Sequence, residues 1–170
     1  MASGRGKCAC GWPISCGAAC GLGSLETIPL DDELALARGY LDVERVRFGT
    51  RLHVEVLVDA GCAGCGVPPL LLQPLVENAV KHGIAGMVEP GVIRIAARRA
   101  GGAVEIAVEN PFDEEAPGAR GAGMGLANVR RRLSVRYGTE ARLDAGASGG
   151  AYRVELRLPC ESPMASSIRA

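Results

Sequence analysis

Charge of one sign is missing from this sequence: nineteen Lys and Arg cancel nineteen Asp and Glu across 170 residues. Without a basic excess there is no electrostatic footprint for nucleic acid or for an anionic membrane surface, so partners must be argued from sites. Long apolar runs are missing too. The richest stretch, VPPLLLQPLVENAV, is broken by prolines and charges well short of the roughly 18 residues that span a bilayer. Seven cysteines are present but their pattern is not that of a framework. Cys8, Cys10, Cys16 and Cys20 crowd the first twenty residues, and Cys62 and Cys65 have zinc-knuckle spacing with no second pair and no histidine placed to complete four ligands. Neither a structural zinc nor a disulfide framework is expected from an odd count so arranged. Two phosphate-binding signatures are absent as well: no G-x-x-x-x-G-K-[ST] occurs, and no G-x-G-x-x-G follows a strand.

What remains is enough for one domain with a real core. Residues 1–24 are rich in Gly, Ala and Cys, have no period, and are too broken for a secretory segment, so they are set aside as an irregular leader. From Pro29 the texture changes. Asp31, Asp32 and Glu33 supply helix-start chemistry, and Leu34, Ala37, Leu41 and Glu44 mark one face of a helix running to about Arg47. The period then switches to two, with Leu52, Val54, Val56 and Val58 alternating against Arg51, His53, Glu55 and Leu57. Alternating runs at 92–98 and 103–110 read as a hairpin closed by Ala100, Gly101 and Gly102. PFDEEAPGARGAGMG has no period and is a long loop. LANVRRRLSVRY follows as a helix with Leu126, Val129 and Leu133 inward, and a second hairpin ends near Pro159, leaving 160–170 as a polar tail. The order predicts a two-layer α/β sandwich, with helices on one face of a mixed sheet.

Two stretches carry chemistry. In LLLQPLVENAVKHGI, residues 70–84, a helical wheel puts Leu71, Leu72, Leu75, Val76, Ala79 and Val80 on one half, and Gln73, Glu77, Asn78 and Lys81 on the other, with His82 at the seam. Taken alone this is an amphipathic helix with a solvated face. The second stretch places Gly118, Gly121, Gly123 and Gly125 directly before the helix at Leu126. Glycines opening a helix expose unpaired N–H groups at its positive end, an arrangement that suits phosphate, although a plain flexible loop has the same composition.

Together, LQPLVENAVKHG and GAGMGLANVRRRL resemble the N box and G2 box of the ATP-binding domain of LytS-type sensor histidine kinases, within the gyrase/Hsp90/histidine-kinase/MutL fold. PLDDELALARGYLDVERVRFGTRL is similar to the helix that leads into that domain, so the resemblance covers about residues 25–159. It implies that ATP and Mg²⁺ are the cofactors. Asn78 would give its side-chain oxygen to Mg²⁺, Lys81 and His82 would face the phosphates, and Glu77 would help orient the reacting group. Gly121, Gly123, Gly125 and Leu126 would close over the phosphates, with residues 111–122 as a mobile lid. Where the family has D-x-G-x-G, this chain reads VENPFDEE. Asn110 therefore falls at the position whose Asp accepts the adenine amino group, with Pro111 after it, and an Asn carbonyl accepts the same bond without charge.

No stretch like the family's acceptor-histidine helix precedes Leu25, and His53 is placed on a strand. The resemblance thus implies a cytoplasmic catalytic part that works on the acceptor-histidine and dimerisation region of a kinase, with a response regulator downstream. Membrane contact would come only through upstream regions, and nucleic acid is not a partner. The rival expectations are an anti-sigma-type serine kinase of the same fold and a non-catalytic nucleotide-binding module.

Overall fold

The computed structural model describes residues 27–113 and 124–162. In chain order its elements are β1 (Ile28–Pro29), α1 (Leu30–Phe48), β2 (Leu52–Val58), β3 (Gly66–Val67), α2 (Gln73–Ala79), β4 (Gly91–Ala100), β5 (Ala103–Pro111), α3 (Met124–Tyr137), β6 (Arg142–Ser148) and β7 (Ala151–Pro159). Five strands form a mixed sheet in the order β2-β4-β5-β7-β6, parallel only between β2 and β4. The one parallel pairing follows from the chain path, because β2 and β4 are joined by a crossover that contains α2.

Alternation along the strands sorts the sheet into two faces. Ile93, Ile95 and Ala97 of β4, Val104, Ile106 and Val108 of β5, and Val154, Leu156 and Leu158 of β7 are buried. They meet the inward residues of the helices: Leu30, Leu34, Ala37 and Leu41 on α1, Leu75, Val76 and Ala79 on α2, and Leu126, Val129 and Leu133 on α3. The opposite face carries Arg94, Arg98, Arg153, Glu155 and Arg157, and no helix among the described residues covers it. The two-layer sandwich anticipated from periodicity is the fold observed.

Three features depart from the expected pattern. The helix foreseen across residues 70–84 is α-helical only over Gln73–Ala79. It continues as a wide turn over Val80–Ile84, where the Ala85 N–H reaches back five residues to the Val80 carbonyl at 2.9 Å. The short β1 and β3, two residues each, pair antiparallel and are too brief to show a period. Cys65 is bonded to Cys160 across 95 residues of sequence, with Cα atoms 4.9 Å apart, which corrects the expectation of no disulfide. Spacing along the chain could not reveal that pair, since it forms only when the end of β7 folds back beside β3. Cys160 and Glu161, placed in the polar tail by sequence, are held there: Cys160 N–H donates to the Gly102 carbonyl at 2.9 Å, and Glu161 bridges to Gly66 and pairs with Arg136 at 2.8 Å. Cys62 remains a free, buried thiol. The leader 1–24 lies outside the described residues.

Candidate nucleotide site

The stretch that raises the functional question is fixed at its start by two other helices. Leu70 has a left-handed backbone, φ 56°, an uncommon state for a branched residue that persists only when its neighbours enforce it. Glu33, only 1% exposed, supplies the enforcement from α1. Its carboxyl oxygens accept the N–H groups of Leu70 at 2.5 Å, Leu71 at 2.8 Å and Leu72 at 3.0 Å, which serve as the unpaired donors at the head of α2. Arg132 of α3 donates to the carbonyls of Leu70 at 3.2 Å and Pro69. Glu33 was read from sequence as helix-start chemistry for α1. In the fold α1 begins at Leu30 with no side-chain cap, and Glu33 caps a different helix. The signal was in the sequence: Glu33 is in phase with Leu30, Ala37 and Leu41, an acid set into an apolar stripe.

With its head clamped, α2 presents its polar residues in a defined order. Leu71, Leu72, Leu75, Val76, Ala79 and Val80 are all buried, as the wheel requires. Glu77 is exposed and accepts the Gln73 amide at 2.7 Å. Tyr40 of α1 lies within electrostatic reach of Glu77, and burial first, then the Glu44 carboxylate, raise its phenol above the ordinary value. Asn78 is half-buried, and its side-chain Nδ2 is shut from solvent with no hydrogen-bond partner among the described residues. A buried amide end without a partner costs roughly 1–3 kcal/mol, so its presence requires an explanation. Lys81 is exposed, and His82 is partly buried on the wide turn, where burial and then Lys81 lower the imidazole below its ordinary pKa.

The wide turn delivers Gly83 against Asn110 at the end of β5. A Cβ on Gly83 would lie 2.7 Å from both Cβ and Cγ of Asn110, so only glycine allows this approach. Asn110 is 2% exposed, on the helix-covered face, in line with Val104, Ile106 and Val108. Its Nδ2 donates to the Pro111 carbonyl at 2.7 Å. Gly83 and Glu33 are functional residues the sequence reading missed. At the far side, Gly125 opens α3 beside Pro74 of α2, 3.6 Å from where its Cβ would sit, and Leu126 is buried beneath. The N-terminus of α3 and the polar face of α2 are thereby neighbours. Gly118, Gly121 and Gly123, like most of the expected lid, lie outside the described residues. Before them, Phe112 is tied to the β6–β7 turn through Gly150 at 2.9 Å and packs on Tyr152 with ring centroids 5.6 Å apart.

The residues present fit a magnesium nucleotide. Among the described residues no group of three or more His, Cys, Asp or Glu could cage a metal. Mg²⁺ characteristically takes few protein oxygens beside substrate phosphates, a role one asparagine can fill. The two ends of an Asn side chain exchange by a half-turn about its last torsion, so the unpartnered end of Asn78 can present oxygen. A hollow of about 620 Å³ lies elsewhere, on the uncovered sheet face over Leu57, Ala96 and Ala107. Its rim of Arg98, Glu105, Arg153 and Arg157 is already ion-paired within itself, so we assign the site by the unpaired polar atoms instead.

No family model matches the chain. Its sequence is 33% identical over 135 residues to the sensor histidine kinase BtsS of Escherichia coli strain K12, covering 79% of this chain and 24% of that protein. It is 31% identical over 147 residues to the sensor histidine kinase YesM of Bacillus subtilis, and 30% identical over 145 residues to the sensor protein LytS of Staphylococcus saprophyticus, covering 81% and 78% of this chain. Among solved structures, the catalytic domain of histidine kinase ThkA superposes with a TM-score of 0.62 at 16% identity, over 81% of this chain and 96% of that one. Full-length ShkA in complex with AMPPNP superposes with a TM-score of 0.56 at 24% identity, over 88% of this chain and 35% of that one. The fold is that of the catalytic domains of histidine kinases. In sequence the chain is similar to sensor histidine kinases, the LytS type among them, and it spans about a quarter of the length of the relatives it matches.

Proposed function

We propose that the chain binds Mg-ATP on the polar side of α2 and serves transfer of the γ-phosphoryl group to a histidine carried on another helix. The buried amide end of Asn78 carries this reading, because it is a polar group held in place with no hydrogen-bond partner among the described residues. Asn78 would hold Mg²⁺ through its side-chain oxygen, and that ion, when bound, neutralises charge on the transferring phosphates. Lys81 would place a positive charge beside them. His82, its pKa lowered, is mainly neutral at neutral pH and serves as a hydrogen-bonding ligand more than as a charge. Glu77, exposed and hydrogen-bonded by Gln73, would help orient the reacting group. Gly121, Gly123, Gly125 and Leu126 would offer backbone N–H groups at the head of α3, and residues 111–122 would act as the lid.

The acceptor would be the histidine-bearing dimerisation region of a kinase, with a response regulator downstream, and the domain would work on the cytoplasmic side of a membrane. No helix among the described residues is long and apolar enough to cross one. Calorimetric titration with Mg-ATP tests the reading: the wild-type chain binds, and Asn78→Ala abolishes magnesium-dependent binding with native circular dichroism retained. Unchanged affinity in that variant refutes the assignment. Radiolabelled ATP then tests transfer. The chain alone stays unlabelled, and an added acceptor-histidine helix becomes labelled with a base-stable, acid-labile phosphate. An acid-stable label on the added partner would point to serine transfer instead.

A further inference from the structure

The Cys65–Cys160 bond stands apart from the candidate nucleotide site, yet it lies at a junction that leads to it. Cys65 ends the loop that follows β2. Its carbonyl accepts the Leu30 N–H at 2.8 Å, and the Ala63 carbonyl accepts the Asp31 N–H at 3.1 Å, so this loop satisfies two of the unpaired donors at the head of α1. Gly66, the next residue, pairs with Pro29 and donates its N–H to the Glu161 carbonyl at 2.7 Å. Glu161 in turn pairs with Arg136 of α3, and the Cys160 N–H donates to Gly102 in the β4–β5 turn. A short way along the chain, Glu33 in that same first turn of α1 clasps Leu70, Leu71 and Leu72. The segment from Cys65 to Leu72 is thus held twice against α1, by the disulfide-bearing loop at one end and by Glu33 at the head of α2.

We propose that Cys65 and Cys160 form a reversible thiol–disulfide exchange site, opened by a dithiol reductant, and that its state sets how firmly the head of α2 is held for nucleotide. The effect on nucleotide rests on the Mg-ATP reading above. Disulfides are rare where glutathione and thioredoxin keep thiols reduced, and those that form there are usually transient, so a bond in a domain assigned to the cytoplasmic side is placed to change state. Attack falls on Cys160, which is half-buried, whereas Cys65 is 1% exposed. A thiolate of the dithiol bonds to the Cys160 sulfur and expels that of Cys65, which takes up a proton. The second thiol then attacks the dithiol's own sulfur in the mixed disulfide and releases Cys160 as a thiol. Two electrons pass to the protein, and the dithiol leaves as a cyclic disulfide. Cys62 does not compete for the bond. Its buried thiol donates to the Asp59 carbonyl at 3.0 Å, and burial, then the Asp59 charge, push its pKa up and keep it protonated. Once the bond opens, the loop that caps α1 loses its covalent anchor, and through Glu33 the head of α2 loosens with it.

The test compares the full chain oxidised and after dithiothreitol, with alkylation and mass spectrometry reading the Cys65–Cys160 bond. Titration with Mg-ATP reads the site, and amide hydrogen exchange at Leu70, Leu71 and Leu72 reads the head of α2 without nucleotide. On reduction, exchange there is expected to rise and ATP affinity to fall about fivefold or more with native circular dichroism retained, and oxidised glutathione restores both. Cys160→Ser is expected to match the reduced chain under both conditions. Unchanged exchange overturns the proposal, as does unchanged affinity in a chain that binds ATP. Loss of the whole fold on reduction makes the bond a structural brace and overturns it as well. So does a response to reductant that persists in Cys160→Ser, since it belongs to other cysteines, and so does a bond that glutathione cannot form or dithiothreitol cannot open in the folded chain. If Cys160→Ser does not fold, a reductant series on wild type decides, because both readouts must track the fraction of the bond opened. A chain that binds no ATP in either state refutes the Mg-ATP reading, and hydrogen exchange then decides by itself whether the bond governs α2.

Discussion

The two faces of the sheet share the same strands and differ in what a polar atom on them means. On the uncovered face polar groups are common and satisfied: Arg94 bridges Glu55 at 2.8 Å and Glu109 at 3.3 Å, Arg153 joins Glu109 and Glu155, and Arg157 joins Glu105. A hollow of about 620 Å³ lies among them. On the covered face polar groups are few, and each is specific. Among the described residues, Thr27, Glu33 and Asn110 are the buried polar or charged side chains, and Glu44, Asn78 and Tyr137 each hold a buried polar atom without a hydrogen-bond partner, Asn78 alone of them on α2. Charge density and hollow size therefore mislead here. Scarcity against an apolar background is the better guide, since desolvation makes each such group costly to keep.

The largest effect that sharpens this contrast is expected at Glu33. Glu33→Ala strands three backbone N–H groups at the head of α2 and releases the left-handed turn at Leu70, at a cost of about 3 kcal/mol or more. Chemical denaturation measures that loss. Because α2 carries Asn78, weaker Mg-ATP binding at temperatures where the variant is folded should accompany it. A loss below about 1 kcal/mol would mean the clasp is incidental.

Adjacent residues of β5 provide the next comparison. Ile106→Ala removes a side chain 1% exposed and should cost about 2–4 kcal/mol, the sum of lost transfer energy and the cavity left behind. Glu105→Ala, one residue away on the other face, breaks its pairs with Arg98 and Arg157 yet should cost less than about 1 kcal/mol, because both cations stay in water. Equal losses on denaturation would show the two faces to be energetically alike and remove the basis of the contrast.

Periodicity made most of this legible in advance. The inward residues of α1, α3 and the strands follow periods of 3.6 and 2, and these fixed the two layers and both hairpins. Asn78 and Asn110 were reachable only because family motifs singled them out, since a lone Asn in a sequence has no period. Glu33, Gly83 and the Cys65–Cys160 bond were missed for one reason. Each acts on a partner 27 to 95 residues away, and nothing local names that partner. Glu33 was the most accessible of them, an acid in phase with leucines, but its phase fell within a helix start where acids are ordinary.

The smallest effect concerns the charge ladder itself, and it is informative because it should be nearly nothing. Arg94 is the hub of the uncovered face, hydrogen-bonded first to Glu55 and then to Glu109, and these bonds raise its pKa further, so it is charged throughout the working range. Those pairs sit in water, where holding long side chains in one geometry offsets most of the attraction and salt screens the rest. Arg94→Ala should leave the denaturation midpoint within experimental scatter at physiological salt. It should leave Mg-ATP affinity unchanged as well, since the side chain projects from the face opposite Asn110. A clear fall in nucleotide affinity from this one change, with stability intact, would place the ligand on the uncovered face and make its large hollow the true site.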